Sequence, residues 1–255
     1  HPCVEMSDCE SEAEPKSWPE SDTSDSAPSC NKRELQNLCE YMAAVVLEQC
    51  KIANRPPTTN DIDFILESWI GNSNTGRKKA AGNAEMTVES DTLGLVKPLH
   101  LTYPMESRVT RAFPAITECL NRWLRSNIDV SNFSWSAICV NHAWSSCIHR
   151  DANNKGPSYA ASFGKHENGE LLCWNEDDGK RPLESLVKTT PVKHEIHHRL
   201  VRFDGNQAHA TERFTGNRVS VIFFDNKLSQ TAKPATARRL RQLGFSFKCL
   251  RSKPS

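Results

Sequence analysis

The sequence predicts an α+β fold in which helices come first and a β sandwich or barrel follows. Its 255 residues, 37% hydrophobic, suffice for one sizeable core. In the first half, apolar residues recur at spacings of three and four. From Trp135 onward, short runs rich in β-branched and aromatic residues alternate with Gly, Asn and Asp clusters. Helices followed by six or more short strands imply a β core with a helical buttress.

Residues 1–30 are rich in Ser, Pro, Glu and Asp, a composition that cannot offset its ordering entropy, and are expected to form a disordered acidic leader. Leu35, Leu38, Met42, Val45 and Val46 place an apolar stripe on a helix over 34–50, ended by Pro56 and Pro57. Asn60 is the expected N-cap of a second helix carrying Ile62, Ile65, Leu66 and Trp69, closed by Gly71. Residues 71–83 have no periodicity and read as a basic loop around Arg77, Lys78 and Lys79. A third helix carries Ile116, Leu120, Trp123 and Leu124 and runs to about Ser126. Strands are expected near 134–141, 158–163, 170–174, 192–197, 200–203 and 218–224. The organisation that follows is a leader over 1–30, a helical buttress over 31–130, a β core over 131–228 and a basic extension over 229–255, with 31–255 folding as one body.

Charge is polarised along the chain. The leader holds eight acids against the single Lys16, a net charge of −7, while the remaining 31 basic and 23 acidic residues leave +8. No acid follows Asp225, and eight Lys and Arg residues do. Such a stretch suits a polyanionic partner, or a solvated basic tail. Apolar runs such as 42–47 fall far short of the roughly 20 residues that span a membrane. The acidic opening lacks the pattern of a secretory leader, and the ten cysteines include no C-x-x-C pair. Reduced thiols in a nuclear or cytoplasmic, non-secreted protein are expected.

The chemistry begins at His149-Arg150-Asp151. Residues i and i+2 of an extended segment project to one side, so one imidazole and one carboxylate meet there. A second histidine, His209, follows the turn 203–208. Two imidazoles and a carboxylate on one face of an octahedral Fe(II) leave three adjacent positions open, where a 2-oxo acid chelates two and dioxygen takes the third. The acid's far carboxylate then needs a cation. Arg218, opening an apolar strand, offers a planar fork, and Ser220 points the same way.

H-x-D, a distal His and R-x-S in this order resemble the double-stranded β-helix of the Fe(II)/2-oxoglutarate-dependent dioxygenases. The strings HRDANNKGPSYAASFGKHENGELLCW and VRFDGNQAHATERFTGNRVSVIFF are similar to the TET and J-binding-protein group of nucleic-acid base oxidases. This narrower likeness covers about a third of the chain. It lacks the cysteine-rich zinc region that precedes the core in animal TET enzymes.

The resemblance implies a jelly-roll barrel and three cofactors: Fe(II), 2-oxoglutarate and O2. His149, Asp151 and His209 would be the iron ligands and catalytic centre. Arg218 and Ser220 would bind 2-oxoglutarate, with Asn141 reaching the same site. Asn154 would face the target base, with Asn153 and Tyr159 beside it, although 153–156 also suits an Asx turn. The implied reaction is oxidation of a methylated base, of 5-methylcytosine or thymine type, in a flipped or single-stranded nucleotide.

Nucleic acid, DNA ahead of RNA, is the expected partner of a monomer without membrane contact. Trp144, Tyr159 and Trp174 suit either base stacking or the core. His194, His197 and His198 lack the spacing of a second metal site and are expected to be solvated strand residues. Two alternatives stay open: a hydroxylase of a protein side chain or small molecule, and a non-catalytic nucleic-acid-binding module.

Overall fold

The structure, a computed structural model, describes residues 31–69, 71, 73–74, 88–98 and 100–249. The expected acidic leader, the basic loop at 77–79 and the last basic residues lie outside the described residues. Among the described residues, no helix is long and apolar enough to cross a membrane.

The helices are α1 (Lys32–Ile52), α2 (Thr59–Leu66), α3 (Arg108–Ala112), α4 (Pro114–Asn127), α5 (Leu183–Leu186) and α6 (Pro234–Gln242). α1 opens with a capping box, in which the Asn31 side chain accepts the Glu34 N–H and Glu34 reaches back to the Asn31 N–H. In α2 the N-cap is Thr58 rather than Asn60, because the Thr58–Asp61 pair makes the reciprocal box and leaves Asn60 inside the first turn. α4 has no side-chain cap of its own. Instead the Glu40 carboxylate of α1 accepts the Ala115 and Ile116 N–H groups at 2.8 and 3.0 Å.

The apolar stripe expected on α1 is rotated in the fold. The buried positions are Gln36, Cys39, Ala43, Val46 and Cys50, whereas Leu38 is 45% exposed and Val45 38% exposed. Small residues decide this. Ala43 and Cys119 are fully buried where α1 meets α4, and the Cys119 thiol reaches the Ala43 carbonyl at 3.4 Å, an approach that leucines would block; Cys39, also fully buried, faces Ser68 beyond α2.

The strands are β1 (Ser73–Asn74), β2 (Val88–Val96), β3 (Met105–Glu106), β4 (Ala137–His142), β5 (Ser158–Phe163), β6 (His166–Asn168), β7 (Leu171–Cys173), β8 (Val192–His194), β9 (Val201–Phe203), β10 (His209–Thr211), β11 (Phe214–Gly216) and β12 (Val219–Phe224). The larger sheet runs β1-β2-β4-β12-β5-β9, with β3 beside β2. The smaller runs β10-β7-β8, and a bridge from His149 to His209 adds a further row outside β10. Count β4, the His149 segment, β5, β7, β8, β9, β10 and β12 as eight successive positions. The larger sheet then reads 1-8-3-6 and the smaller 2-7-4-5, which is the double-stranded β-helix, a jelly roll of two Greek keys. β6 and β11 form a separate ladder between β5 and β12, and among the described residues the two sheets do not join into one closed barrel.

Alternation separates the two faces of the larger sheet. Ile138, Val140, Ala161, Phe163, Val219, Val221 and Phe223 pack outward on the helices, in one apolar cluster that runs from Cys39 to Phe247. The cluster includes Ala237, Leu240, Phe245 and Phe247, so residues past 228 help build the core in addition to carrying charge. The opposite face of the sheet looks into a cavity.

β2 is an element the sequence reading misses. Its Ser90 and Thr92 lie in the rows of Asn141 and Cys139 on the cavity side, and the buried Asp91 on the other side receives the Gln36 amide at 3.3 Å, so no apolar alternation marks it. Conversely, β8 stops at His194. His197 forms a parallel bridge with Ser162 and meets the Gly164 carbonyl at 3.0 Å, and His198 is an exposed turn residue at φ +56° with its Nε2 3.2 Å from the Asp63 carboxylate, so the strand ends before these two histidines.

Candidate metal centre

The double-stranded β-helix turns two histidines that are far apart in sequence into cross-strand neighbours. His149 and His209 sit opposite each other in the antiparallel bridge and exchange both backbone hydrogen bonds at 3.0 Å, which brings their ring centroids to 4.3 Å. Asp151 is two residues past His149, and its N–H is fixed by the Gly205 carbonyl at 2.7 Å. His149 Nε2 lies 3.9 Å from Asp151 Oδ1, and His209 Nε2 lies 3.8 Å from Oδ2. These separations exceed a hydrogen bond, and one donor atom from each of the three residues lies within 4.8 Å of the others.

Both imidazoles are oriented from behind. His149 Nδ1 contacts the Cys147 carbonyl at 2.8 Å and His209 Nδ1 contacts the Gln207 carbonyl at 2.9 Å. A carbonyl only accepts, so Nδ1 carries the proton and the Nε2 lone pair faces Asp151. Burial, reinforced by the neighbouring His149, lowers the pKa of His209 and favours the neutral ligand form.

Across the cavity, Arg218 is 2% exposed. Its Nη2 donates to the Gly169 carbonyl at 2.9 Å, its Nε has no partner, and no carboxylate lies within ion-pairing distance among the described residues. Burial pulls its pKa down to about 10, opposed by the more distant Glu170 and Glu195. At neutral pH this is still a buried cation without a counter-ion, in the wall of a cavity of about 540 Å³ that the triad also lines.

Beside Arg218 a polar row crosses four strands, Ser90–Asn141–Ser220–Ser162. Ser90 donates to Asn141 Oδ1 at 2.7 Å, and Asn141 Nδ2 donates to Ser220 at 3.4 Å. Asn141 and Ser220, both nominated by the sequence, therefore share one hydrogen-bonded patch of the cavity wall.

The structure brings Asn154 to the centre as well, in a different setting from the one the motif suggests. Its Nδ2 donates to Asp151 Oδ2 at 3.0 Å, and the residue, 5% exposed, lines the cavity. Asn153 lies exposed at the rim. Tyr159 does not join the site. It sits on the outward face of β5, edge-on to Phe133 at 4.8 Å, as the alternation from Ser158 requires. Trp174 likewise is a core residue whose indole N–H reaches the Leu186 carbonyl at 2.9 Å, while Trp144 lines the cavity.

One glycine in the turn before His209, Gly205, and one acid, Asp177, support the centre without being part of the ligand motif. A Cβ on Gly205 would lie 2.9 Å from Asn154 Nδ2, 3.4 Å from Ser158 Oγ and 3.5 Å from Asp151 Oδ2, so the bare backbone lets Asp151 and Asn154 sit where they do. We expect Gly205→Ala to weaken Fe(II) binding by up to about 10-fold, at the low end of what outer contacts of metal ligands cost. Anaerobic titration checks this; unchanged affinity would remove Gly205 from the account. The other position, Asp177, lies in N-E-D-D-G, where nothing in the sequence separates a buried acid from its solvated neighbours.

No protein-family model and no curated protein matches the sequence. Among solved structures, NgTET1 in complex with 5mC DNA is 12% identical, covering 84% of this chain and 99% of that one at a TM-score of 0.39. A 2OG-Fe(II) oxygenase family oxidoreductase from Burkholderia pseudomallei is 13% identical over 78% of this chain and 95% of its own, with a TM-score of 0.44. A prolyl hydroxylase from Trichoplax adhaerens, in complex with a hypoxia inducible factor oxygen degradation domain peptide, is 11% identical over 77% and 91%, with a TM-score of 0.34. The strand order is that of a double-stranded β-helix, and two imidazoles with one carboxylate are a donor set that suits non-haem Fe(II) with positions left open for other ligands.

Proposed function

We propose that this protein is an Fe(II)/2-oxoglutarate-dependent dioxygenase that oxidises a methylated base, of 5-methylcytosine or thymine type, in nucleic acid. One observation carries the oxygenase reading: three metal-ligating atoms converge on one side of a cavity whose opposite wall holds a buried guanidinium with no counter-ion among the described residues. Iron and 2-oxoglutarate, when bound, supply the oxidising chemistry with dioxygen as oxidant.

The chain's own residues do the rest. His149, Asp151 and His209 would hold the iron. Arg218 and Ser220 would take the distal carboxylate of 2-oxoglutarate, with Asn141 orienting the Ser220 hydroxyl. Leu171, Ile196, Phe203 and Ile222 line the space between these groups with apolar surface, which keeps bulk water from the reacting carbon.

The nucleic-acid part of the reading rests on the rim. Asn154 would present its side-chain amide to a base edge, Asn153 stands next to it, and Lys97 lines the cavity with no hydrogen bond or ion pair among the described residues. A planar base with an adjacent phosphate fits amides beside an uncommitted cation. The net charge of +8 outside the leader favours the same partner. The iron site is enclosed between two sheets, so the nucleotide must enter flipped or single-stranded.

The test is to load the protein anaerobically with Fe(II) and 2-oxoglutarate, admit oxygen and measure succinate with methylated DNA, methylated RNA and unmodified nucleic acid. Stimulation by a methylated strand is expected. Succinate that no nucleic acid stimulates would move the substrate to a protein side chain or small molecule, and no succinate at all would leave a binding module. Lys97→Glu is expected to weaken binding uniformly across sequences and to lower the salt slope by about 1, as loss of one phosphate contact does.

A further inference from the structure

We infer that Asp177 is a positioning residue that clamps both ligand-bearing segments of the metal centre with one carboxylate. The inference rests on the metal-centre reading proposed above. Arg150 stands between His149 and Asp151, so its side chain leaves the segment on the side opposite the ligands. It forks onto Asp177, with Nε to Oδ2 and Nη2 to Oδ1 both at 2.6 Å. The same Oδ2 accepts the Ala208 N–H at 2.7 Å, one residue before His209.

Thus a single buried carboxylate, its side chain fully removed from solvent, fixes the backbone next to all three ligands. The geometry is supported from both ends. Oδ1 also receives the Gly179 N–H at 3.0 Å, and Arg150 Nη2 reaches the Arg181 carbonyl at 2.7 Å. The Arg150 guanidinium and, against burial, the Ala208 and Gly179 amides hold the Asp177 carboxyl down to about 2, so the clamp is charged at any pH near neutral.

The two segments already meet through backbone hydrogen bonds, Thr211 N–H to the Ser146 carbonyl, the His149–His209 pair and Asp151 N–H to the Gly205 carbonyl, and Asp177 is the buried side chain that ties both of them from behind the ligands. This pairing is short, one bridge flanked by single backbone bonds, where β4, β5 and β12 are fixed by long ladders. Asp177 adds a side-chain restraint to that short pairing. Outer contacts of this kind commonly set metal affinity by 10–100-fold.

The probe is Co(II), titrated anaerobically into the full chain and read by its visible absorption, with thermal melts recorded in parallel. Asp177→Asn and Arg150→Gln are each expected to weaken Co(II) about 10–100-fold and to alter the Co(II) spectrum, and the double variant to be little worse than either. Asp61→Asn is the control for generic destabilisation, because it breaks the equally short Arg55–Asp61 pair outside the cavity. It is expected to lower the melting temperature and leave Co(II) affinity unchanged.

Should Asp177→Asn not fold, Arg150→Lys decides, since lysine keeps the charge and loses the fork. Wild-type affinity and spectrum in the folded variants would overturn the clamp alone. A wild-type protein that binds no Co(II) would overturn the metal centre and the clamp with it.

Discussion

Asp151→Ala is expected to abolish 2-oxoglutarate turnover, by more than about 100-fold, in a protein that still melts cooperatively. The size of the loss follows from comparison: outer contacts of metal ligands already cost 10–100-fold, so removing a ligand must cost more. The stability side follows from exposure. The Asp151 side chain is 38% exposed, and its one side-chain hydrogen bond among the described residues is from Asn154, which itself lines the cavity. Truncation there leaves no sealed void, and a surface-like change in stability is expected. His209→Ala is a harsher version, because His209 is buried edge-to-face against Phe203 at 5.1 Å and leaves a cavity. Succinate formation, Fe(II) affinity and thermal melts on Asp151→Ala separate the two contributions. Turnover near the wild-type level would remove the triad from the mechanism.

The residues that the sequence made legible are those whose chemistry is spelled out locally. H-x-D is readable because extended backbone puts i and i+2 on one side, and Arg218 because a cation opening an apolar strand demands an explanation. The strand at 158–163 matches β5 to the residue, since both of its faces are buried and Gly164 follows. Other features depend on partners that a linear reading does not contain. The buried face of α1 is set by Ala43 against Cys119 of α4 and by Cys39 against Ser68, not by its own leucines. β2 reads as irregular because one of its faces lines a cavity and the other buries Asp91. Asp177 and Asp178 look alike in sequence. Only the tertiary fold puts the first on Arg150, while the second caps its own turn through the Lys180 and Arg181 N–H groups.

Arg218 gives the prediction with the most discriminating outcome, because function and stability should move in opposite directions. An interaction between a buried guanidinium fork and a carboxylate typically costs 2–5 kcal/mol when one partner is truncated, which is about 30- to 5,000-fold in affinity. Arg218→Met should therefore raise the 2-oxoglutarate concentration needed for half-saturation into that range, while the Fe(II) ligands stay in place. Arg218→Lys should recover only part of the loss, since a point charge cannot make both bonds. In the ligand-free protein the balance reverses. Arg218 has no ion pair among the described residues and an unpartnered Nε, so its burial is a desolvation cost that the fold carries. Replacing it with a side chain of similar length and no charge should leave the ligand-free melting temperature unchanged or higher, offset by the loss of the bond to the Gly169 carbonyl, of the guanidinium's packing over the Phe214 ring at 5.2 Å and of the distant attraction of Glu170 and Glu195. The wild type should gain stability as 2-oxoglutarate is added, following RT ln(1 + [L]/Kd), and the methionine variant should not. A residue that serves only the fold would show the opposite: a destabilised ligand-free variant whose response to 2-oxoglutarate matches that of the wild type.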